Sequence, residues 1–153
     1  MADLKELFSE LIRFETDLWN AVDARLRSEH DLQLTWFEPM QLMSKYTACR
    51  VYDIKEELSI TVGGASKLVD RIEAAGLCRR RANPDDRRSQ IIELTPAGRR
   101  LLAKATRTFE HELQTRLGSV LTGRSLDQFG AALMKLRAAN RPVTSREEIS
   151  PAS

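Results

Sequence analysis

The first thirty residues carry apolar side chains at steps of three and four positions, which is the spacing of one face of an α-helix. This stripe predicts a long amphipathic helix from about Leu4 to Glu29. It consists of Leu4, Leu7, Phe8, Leu11, Ile12, Phe14, Leu18, Trp19 and Val22. Because the stripe is wide for a helix at the edge of a small protein, it could face a partner subunit as well as the core. A second helix is predicted next, with Thr35 as its N-cap and an end near Lys45.

The middle of the chain predicts two helices separated by a short turn. Asp53 and Glu56 have capping-box spacing, which predicts that a short helix begins at Asp53. Thr61 is the predicted N-cap of the following helix, and Gly76 is predicted to end it. Two helices that are separated by only three or four residues have helix-turn-helix spacing.

Two short segments, 77–81 and 89–94, predict β-strands, the second marked by Ile91, Ile92 and Leu94. The segment between them contains Asn-Pro-Asp-Asp, a sequence that favours a tight turn. The two strands and the turn at 83–87 therefore predict a β-hairpin. Its tip and exit are crowded with charge, from Asp85, Asp86, Arg87 and Arg88.

Two more helices are predicted after the hairpin. Thr95 caps the first of them, with Pro96 at its first position, where a missing N–H group costs nothing. This helix is expected to run to about residue 121, and the final helix to about residue 140. Residues 141–153 have little apolar content and predict a disordered tail. The expected fold class is mainly α with a small β-hairpin.

The composition fits one folded domain and gives no sign of a membrane protein or a secreted protein. The chain has 153 residues, 42% hydrophobic and 30% charged, without an apolar run of about 18 residues. The acidic N-terminus does not match a secretory signal. Cys49 and Cys78 are too few for a disulfide scaffold or a metal site, so we expect a reduced, cytoplasmic protein with no metal and no cofactor. We interpret both cysteines as small buried hydrophobes rather than redox sensors.

The net charge of +2 is unevenly distributed along the chain. Residues 1–48 hold five Lys and Arg against nine Asp and Glu, a sum of −4. Residues 61–100 hold nine Lys and Arg against five Asp and Glu, a sum of +4. A basic segment inside a nearly neutral protein indicates a localised anionic partner, although a solvated surface without a partner would have the same composition.

A helix-turn-helix followed by a hairpin is the element order of a winged helix-turn-helix, a fold that binds DNA. Its second helix lies in the major groove, where Lys and Arg pair with guanine edges and the free N–H groups of the first turn suit a phosphate. The hairpin is the wing, because a narrow minor groove attracts inserted arginine. The predicted DNA-binding residues are Thr61, Gly63, Gly64, Ser66, Lys67, Arg71, Arg80, Arg87 and Arg88.

The acids and the remaining arginines of the hairpin need a separate interpretation. Phosphate would repel Asp85 and Asp86, so we interpret Asp86 as a wing-orienting residue that holds an arginine or the turn amides, and Asp85 as a cap of the turn. Arg79, Arg80 and Arg81 alternate between the two sides of a strand. One or two of them are expected to face phosphate, and the third to pair with an acid inside the domain.

Four segments of this region resemble the MarR family of bacterial transcription regulators. They are "LVDRIEAAGL", the arginine pair that follows it, "DRR" at the wing, and "LTPAG" before a long helix. The resemblance covers about residues 30–105. It implies a homodimer that binds a palindromic operator in double-stranded DNA. Helices in 1–33 and 122–140 would form the dimerisation region, and 34–121 the DNA-binding lobe with its long connecting helix.

The resemblance also implies roles for individual residues. Asp86 and Arg88 would shape the wing and deliver an arginine to the minor groove. Ser66 and Lys67 fall where the recognition helix of this family carries its polar, DNA-facing residues. The chain departs from the family at the Gly63-Gly64 pair, where bulkier residues often sit.

Several aromatic and sulfur-containing side chains gather near the junction of the first two helices. The simplest interpretation of this group is hydrophobic core. By resemblance to the family, the group could instead line a pocket for a small aromatic or anionic effector. The residues of this predicted pocket are Trp19, His30, Trp36, Met40 and Met43.

We expect a dimeric DNA-binding regulator that acts as a repressor. An enzyme is not expected, because the sequence has no phosphate loop, nucleophile elbow or paired-carboxylate spacing. A winged-helix module that binds protein, without sequence-specific DNA binding, is the alternative. The basic segment, the glycines at the helix start and the wing arginines argue against it, and salt-dependent DNA binding would separate the two.

Overall fold

The computed structural model of the chain describes residues 1–141, so the predicted disordered tail falls outside the described residues except for Arg141. The elements, in chain order, are α1 (Leu4–His30), α2 (Leu34–Lys45), α3 (Val51–Leu58), α4 (Val62–Ala74), β1 (Cys78–Ala82), β2 (Gln90–Leu94), α5 (Pro96–Leu113), a π-helical turn (Gln114–Gly118) and α6 (Gly123–Ala139). The fold class is therefore mainly α with one antiparallel hairpin, as the sequence predicts. None of the helices in the described range is long and apolar enough to cross a bilayer.

The chain divides into two compact units, Met1–Leu113 and the part from Gln114 onwards. The core of the first unit forms where α1 to α5 and the hairpin bury apolar side chains. Its fully buried large side chains include Leu26, Phe37, Met40, Ile72 and Ile92. Of the residues of α1, only Val22 and Leu26 are buried in this core, and Leu18 packs against it.

The starts of α2 and α3 differ from the prediction. Thr35 is not the N-cap of α2, which begins one residue before it, and the Leu34 N–H group donates to Asp23 Oδ1 of α1 at 2.9 Å. Asp53 does not precede α3 but lies in its first turn, where its carboxylate accepts the Arg50 N–H group at 2.8 Å. Capping residues do not reveal by spacing alone whether they act from outside the helix or reach back from inside it.

The boundaries of α4 agree with the prediction. Thr61 Oγ1 accepts the Gly64 N–H group at 3.0 Å, which is the expected N-cap bond. At the other end Gly76 adopts a φ of 77°, a left-handed conformation that glycine reaches without steric cost and that ends a helix.

The hairpin pairs in register from Cys78 opposite Leu94 to Ala82 opposite Gln90. A further bridge, which the sequence did not predict, joins Cys49 to Ile92, and the Ile92 N–H group donates to the Cys49 carbonyl at 2.7 Å. The segment before α3 thus adds one residue pair to the open side of β2.

The helix that begins at Pro96 is shorter than predicted. Instead of continuing to about residue 121, α5 ends at Leu113, and the Ser119 N–H group then donates to the Gln114 carbonyl at 2.8 Å. A bond between residues five apart defines a π-helical turn, which apolar periodicity alone does not distinguish from an α-helix. In this second unit α6 begins after Thr122, whose side chain accepts the Ser125 N–H group at 3.2 Å.

Candidate nucleic-acid interface

The exposed face of α4 begins at its glycine pair. Gly63 and Gly64 are both solvent-exposed. A Cβ atom added to Gly63 would meet no atom within 4 Å, so packing within the protein does not require glycine there. Lys67 and Arg71 follow on α4, exposed, with Ser66 half-buried beside them. A bare helix start followed by cations allows an anionic surface to approach the main chain closely.

The tip of the hairpin is held by local hydrogen bonds. Asn83 Oδ1 accepts the Asp85 N–H group and Asp86 Oδ1 accepts the Arg88 N–H group, both at 3.0 Å. The Asn83 amide also donates to Ser89 Oγ at 3.1 Å. Asp86 therefore holds a turn amide, the geometry in which it could orient the wing, while its role with DNA bound stays a prediction. Arg88 follows directly, with an exposed side chain.

The nine cations of residues 61–100 separate into two groups. Four of them make contacts inside the protein. Arg79 and Arg81 both donate to the Glu93 carboxylate, at 2.8 and 3.1 Å, and these bonds lower the pKa of Glu93 below its ordinary value. Arg80 pairs with acids of α4, and Arg99 donates to the Leu94 carbonyl at 2.9 Å.

The other five cations make no side-chain hydrogen bond or ion pair within residues 1–141. They are Lys67, Arg71, Arg87, Arg88 and Arg100. Two of them lie on α4 and two at the hairpin tip, so the sequence-predicted contact residues on these elements present uncompensated positive charge. Arg100 belongs to the exposed side of α5.

Arg80 differs from the other predicted contact residues. The sequence predicts it as a DNA contact, but its guanidinium lies 2.6 Å from Asp70 Oδ1, and only 18% of its side chain is exposed. It also contacts Glu73 at 3.4 Å. Sequence reasoning left the acidic partner of the arginine run unnamed, since no local spacing links a strand residue to acids seven and ten positions earlier.

The residues of the predicted effector pocket lie in different surroundings. Met40 and Met43 are buried in the core, as the simpler interpretation of the group predicted, and Trp36 packs against it. Trp19 is 38% exposed, and His30 Nε2 lies 2.7 Å from Thr108 Oγ1. Met40 and Met43 lie on the buried side of α2, so the opposite side of this helix is open to solvent.

A groove of about 480 Å³ runs along that open side, and it shares no residue with the predicted pocket. Its lining residues come from α2, α3 and α5: Glu38, Gln41, Leu42, Ser44, Lys45, Glu57, Leu58, Leu102 and Thr106. Glu38 is half-buried there, and this desolvation raises the pKa of its carboxyl above the ordinary value.

Both cysteines are buried and electrostatically unfavourable as thiolates. Burial raises the pKa of Cys49 to about 12 and that of Cys78 to about 11. Since a sensing cysteine needs a lowered pKa and access to oxidant, these positions fit their interpretation as small buried hydrophobes. In residues 1–141, no group of His, Cys, Asp and Glu side chains has an arrangement that could hold a metal ion.

Known proteins with the same fold and related sequences were found for this chain. Residues 32–90 match the model of the MarR family. Over 71 residues, the chain is 25% identical to the uncharacterized HTH-type transcriptional regulator YfiV of Bacillus subtilis, with 46% of this chain and 44% of that protein covered. The match therefore spans less than half the length of YfiV.

Two further similarities cover most of the chain. It is 24% identical over 128 residues to the multiple antibiotic resistance protein MarR of Salmonella typhimurium, with 80% of this chain and 89% of that protein covered. It superposes with a TM-score of 0.84 and 19% identity on Sco3205, a MarR family transcriptional regulator from Streptomyces coelicolor solved in complex with DNA, with 91% and 88% of the two chains covered. The MarR family consists of transcription regulators and not of enzymes. Residues 32–90 thus match the MarR family model, and the chain has the fold of MarR family transcription regulators.

Proposed function

We propose that this protein is a dimeric, sequence-specific DNA-binding repressor of transcription. The observation that carries the proposal is the separation of its cations. Lys67, Arg71, Arg87 and Arg88 stand uncompensated on α4 and the hairpin tip, whereas neighbouring arginines are held by acids. A helix for the major groove and a wing for the minor groove need free cations at these two places.

The relative solved with DNA supports this choice of partner, since Sco3205 has the same fold. The alternative function is that of a winged-helix module that binds protein instead of DNA. It would not require the bare Gly63-Gly64 start of α4 or a minor-groove arginine at the wing. Because the DNA that a bacterial regulator reads lies in the cytoplasm, the proposal also places the protein there.

The experiment is a selection of bound duplexes from a random DNA pool, followed by affinity measurements over a range of salt concentrations. A repressor of this kind selects an inverted repeat, and its affinity for that operator falls steeply with salt. Failure to enrich any sequence, with binding to a protein partner instead, would support the interaction module.

Lys67 provides the sharper test of sequence reading. If it contacts a base, Lys67→Ala weakens binding to the selected operator more than binding to random DNA. An equal loss on both would make Lys67 a phosphate contact. Lys104→Gln is the matched control, because it removes one exposed positive charge from α5, outside the proposed interface.

We further propose that the protein forms its dimer through α1 and the 122–140 region. Leu4, Leu7 and Phe8 are 76%, 56% and 65% exposed, an apolar face that a monomer would leave in water. In the second unit, Phe129 and Leu136 of α6 are also exposed. A dimer would bring two α4 helices to the two halves of a palindrome.

A small effector that releases the DNA is the last part of the proposal. The groove between α2, α3 and α5 supports an aromatic ligand because Leu42, Leu58 and Leu102 offer apolar contact. Its two acids, Glu38 and Glu57, outnumber its one cation, Lys45, and this disfavours a simple anion. Benzamide and benzoate are suitable probes. We expect benzamide to shift NMR signals of groove residues, and benzoate to do so only after Glu38→Gln. Binding of both probes at positions outside the groove would refute this site.

A further inference from the structure

Arg80 lies at the junction between α4 and the wing, and its side chain connects the two. Its Nη1 donates to Asp70 Oδ1 at 2.6 Å and to Glu73 Oε1 at 3.4 Å. Its Nη2 donates to the Ser66 carbonyl at 3.4 Å. All three acceptors belong to α4, whereas Arg80 is the middle residue of β1. One guanidinium therefore spans from the wing to three points on the recognition helix.

The main chain of β1 takes part in the same junction. Arg80 and Ile92 face each other across the hairpin, and the Ile92 N–H group points away from it to the Cys49 carbonyl. The Arg80 N–H group donates to Glu73 Oε2 at 3.0 Å. The open edge of β1 is thus closed at this residue by a side chain of α4, where an unpaired edge would otherwise remain.

The electrostatics of α4 give this contact a second effect. Glu73 lies in the last turn of α4, where the helix dipole disfavours a negative charge. Asp70 lies one turn earlier, and phosphate approaching the helix would repel both carboxylates. Arg80 offsets both charges, and it leaves Lys67 and Arg71 free of acidic partners.

We propose that Arg80 is a positioning residue, which locks the wing to the recognition helix and neutralises two acids there, and that it is not itself a DNA contact. The consequence for DNA binding rests on the proposed function, whereas the lock is a property of the free protein. The lock fixes the angle between the helix and the wing before binding. The cations of both elements therefore reach their grooves without a further loss of conformational entropy.

The sign of one substitution separates this role from simple electrostatics. Glu73→Ala removes a negative charge from the recognition helix, so charge alone predicts tighter operator binding. It also removes the acceptor of the Arg80 N–H group and one of the two acids that the guanidinium contacts. Loss of the lock predicts weaker binding. We expect weaker binding, by roughly threefold or more, in the range for one member of an ion-pair network. Tighter binding by this variant overturns the proposal.

A double-mutant cycle then tests whether Arg80 acts through Glu73. We expect Arg80→Gln to lower operator affinity about tenfold in the wild type but less than about twofold in the Glu73→Ala background, because coupled residues are not additive. The slope of log affinity against log salt should stay unchanged, whereas a lost phosphate contact reduces its magnitude by about 0.9. Additive losses with a reduced slope would make Arg80 a DNA contact and overturn the lock.

The free protein provides a test that needs no DNA. In both variants we expect faster hydrogen exchange in peptides covering 78–94, with unchanged exchange in α1 and α5. Lys104→Gln is the control for loss of one positive charge. If Arg80→Gln does not fold, Arg80→Lys replaces it, because lysine keeps the positive charge but lacks the two-pronged guanidinium donor. Unchanged wing exchange refutes the lock. A wild type that enriches no DNA but shows this exchange pattern refutes the proposed function and leaves the lock standing.

Discussion

At the scale of single residues, Gly98 shows how a missing side chain places a helix. A Cβ atom built on Gly98 would lie 2.0 Å from the Leu77 carbonyl oxygen and 2.9 Å from its carbon. The same carbonyl accepts the Thr95 N–H group at 3.0 Å. The first turn of α5 therefore rests directly on the main chain that leads from α4 into β1, and a backbone neighbour has little freedom to move aside.

Gly98→Ala is accordingly expected to destabilise the protein. Alanine favours a helix by up to about 1 kcal/mol over glycine, but overpacking against main chain costs about 1–3 kcal/mol, so the steric term decides the sign. Denaturant unfolding measures the difference. Gly63→Ala is the control, since a Cβ atom there meets nothing within 4 Å and only the favourable helix term applies. A stabilised Gly98→Ala variant would contradict the close contact.

The cysteines predict a pH dependence of stability. Burial raises the pKa of both thiols from an ordinary value of 9.0 to about 12 for Cys49 and about 11 for Cys78. Above pH 9 the unfolded chain loses thiol protons that the folded chain retains, so the free energy of unfolding falls as pH rises from about 9 towards 11 and 12. We expect unfolding titrations to show a smaller fall in a Cys49→Ala, Cys78→Ala double variant. Equal slopes would mean that the thiols do not contribute.

At the scale of elements, the wing is a turn ordered by its own side chains. Four hydrogen bonds that involve side chains hold residues 83–89, and Asp86 supplies the acceptor next to Arg88. A turn that is ordered in advance loses less conformational entropy when it binds. Negative charge at the tip is therefore compatible with binding an anion, if the carboxylate holds the main chain rather than facing the phosphate.

Two substitutions test this account of the wing. Arg88→Ala should lower operator affinity by roughly 1–3 kcal/mol, with the largest loss where the flanks are A·T-rich and the minor groove is narrow. Asp86→Ala should also weaken binding, although it removes a negative charge. Asp86→Asn keeps an oxygen that accepts the Arg88 N–H group, so it should bind at least as tightly as the wild type. Gel-shift titrations at one fixed salt concentration measure all three.

Each of these variants has an outcome against the proposed wing. Unchanged binding by Arg88→Ala removes the minor-groove contact. Tighter binding by Asp86→Ala shows that charge outweighs orientation. If Asp86→Asn weakens binding as much as alanine does, the carboxylate acts through its charge and not through the turn amide.

At the scale of the whole molecule, α1 stands out among residues 1–141 for the apolar side chains that it exposes. Its N-terminal half carries the apolar stripe that the sequence predicts, yet its buried residues, Val22 and Leu26, lie only in the second half. Helices gain most of their stability in proteins by packing an apolar face. A second copy of the chain is the partner that the proposed operator symmetry requires.

Leu11→Glu should therefore give a monomer, or a strongly weakened dimer, with a large loss of operator affinity. Leu11 is 40% exposed and lies at the centre of the stripe, where a charge would be buried in the dimer. Ser9→Glu adds the same charge on the opposite side of α1 and should leave the dimer intact. Sedimentation velocity measures the oligomeric state. A Leu11→Glu dimer of normal stability would exclude α1 from the interface.

Much of the fold follows from the sequence by itself, because periodicity and capping are local. The type and order of the helices, the hairpin, the Thr61 cap and the left-handed Gly76 all follow from residues a few positions apart. The free cations of α4 and the wing tip were also predicted as contacts from their place in these elements. The tertiary structure decided what depends on approach between distant segments. It joined Cys49 to Ile92 by a β-bridge. It also placed the Arg80 guanidinium beside the acids of α4, while the Arg88 side chain stayed free of such a partner. Whether a charge is available or neutralised depends on which side chains lie within a few ångströms of it, and this is determined only when the chain has folded.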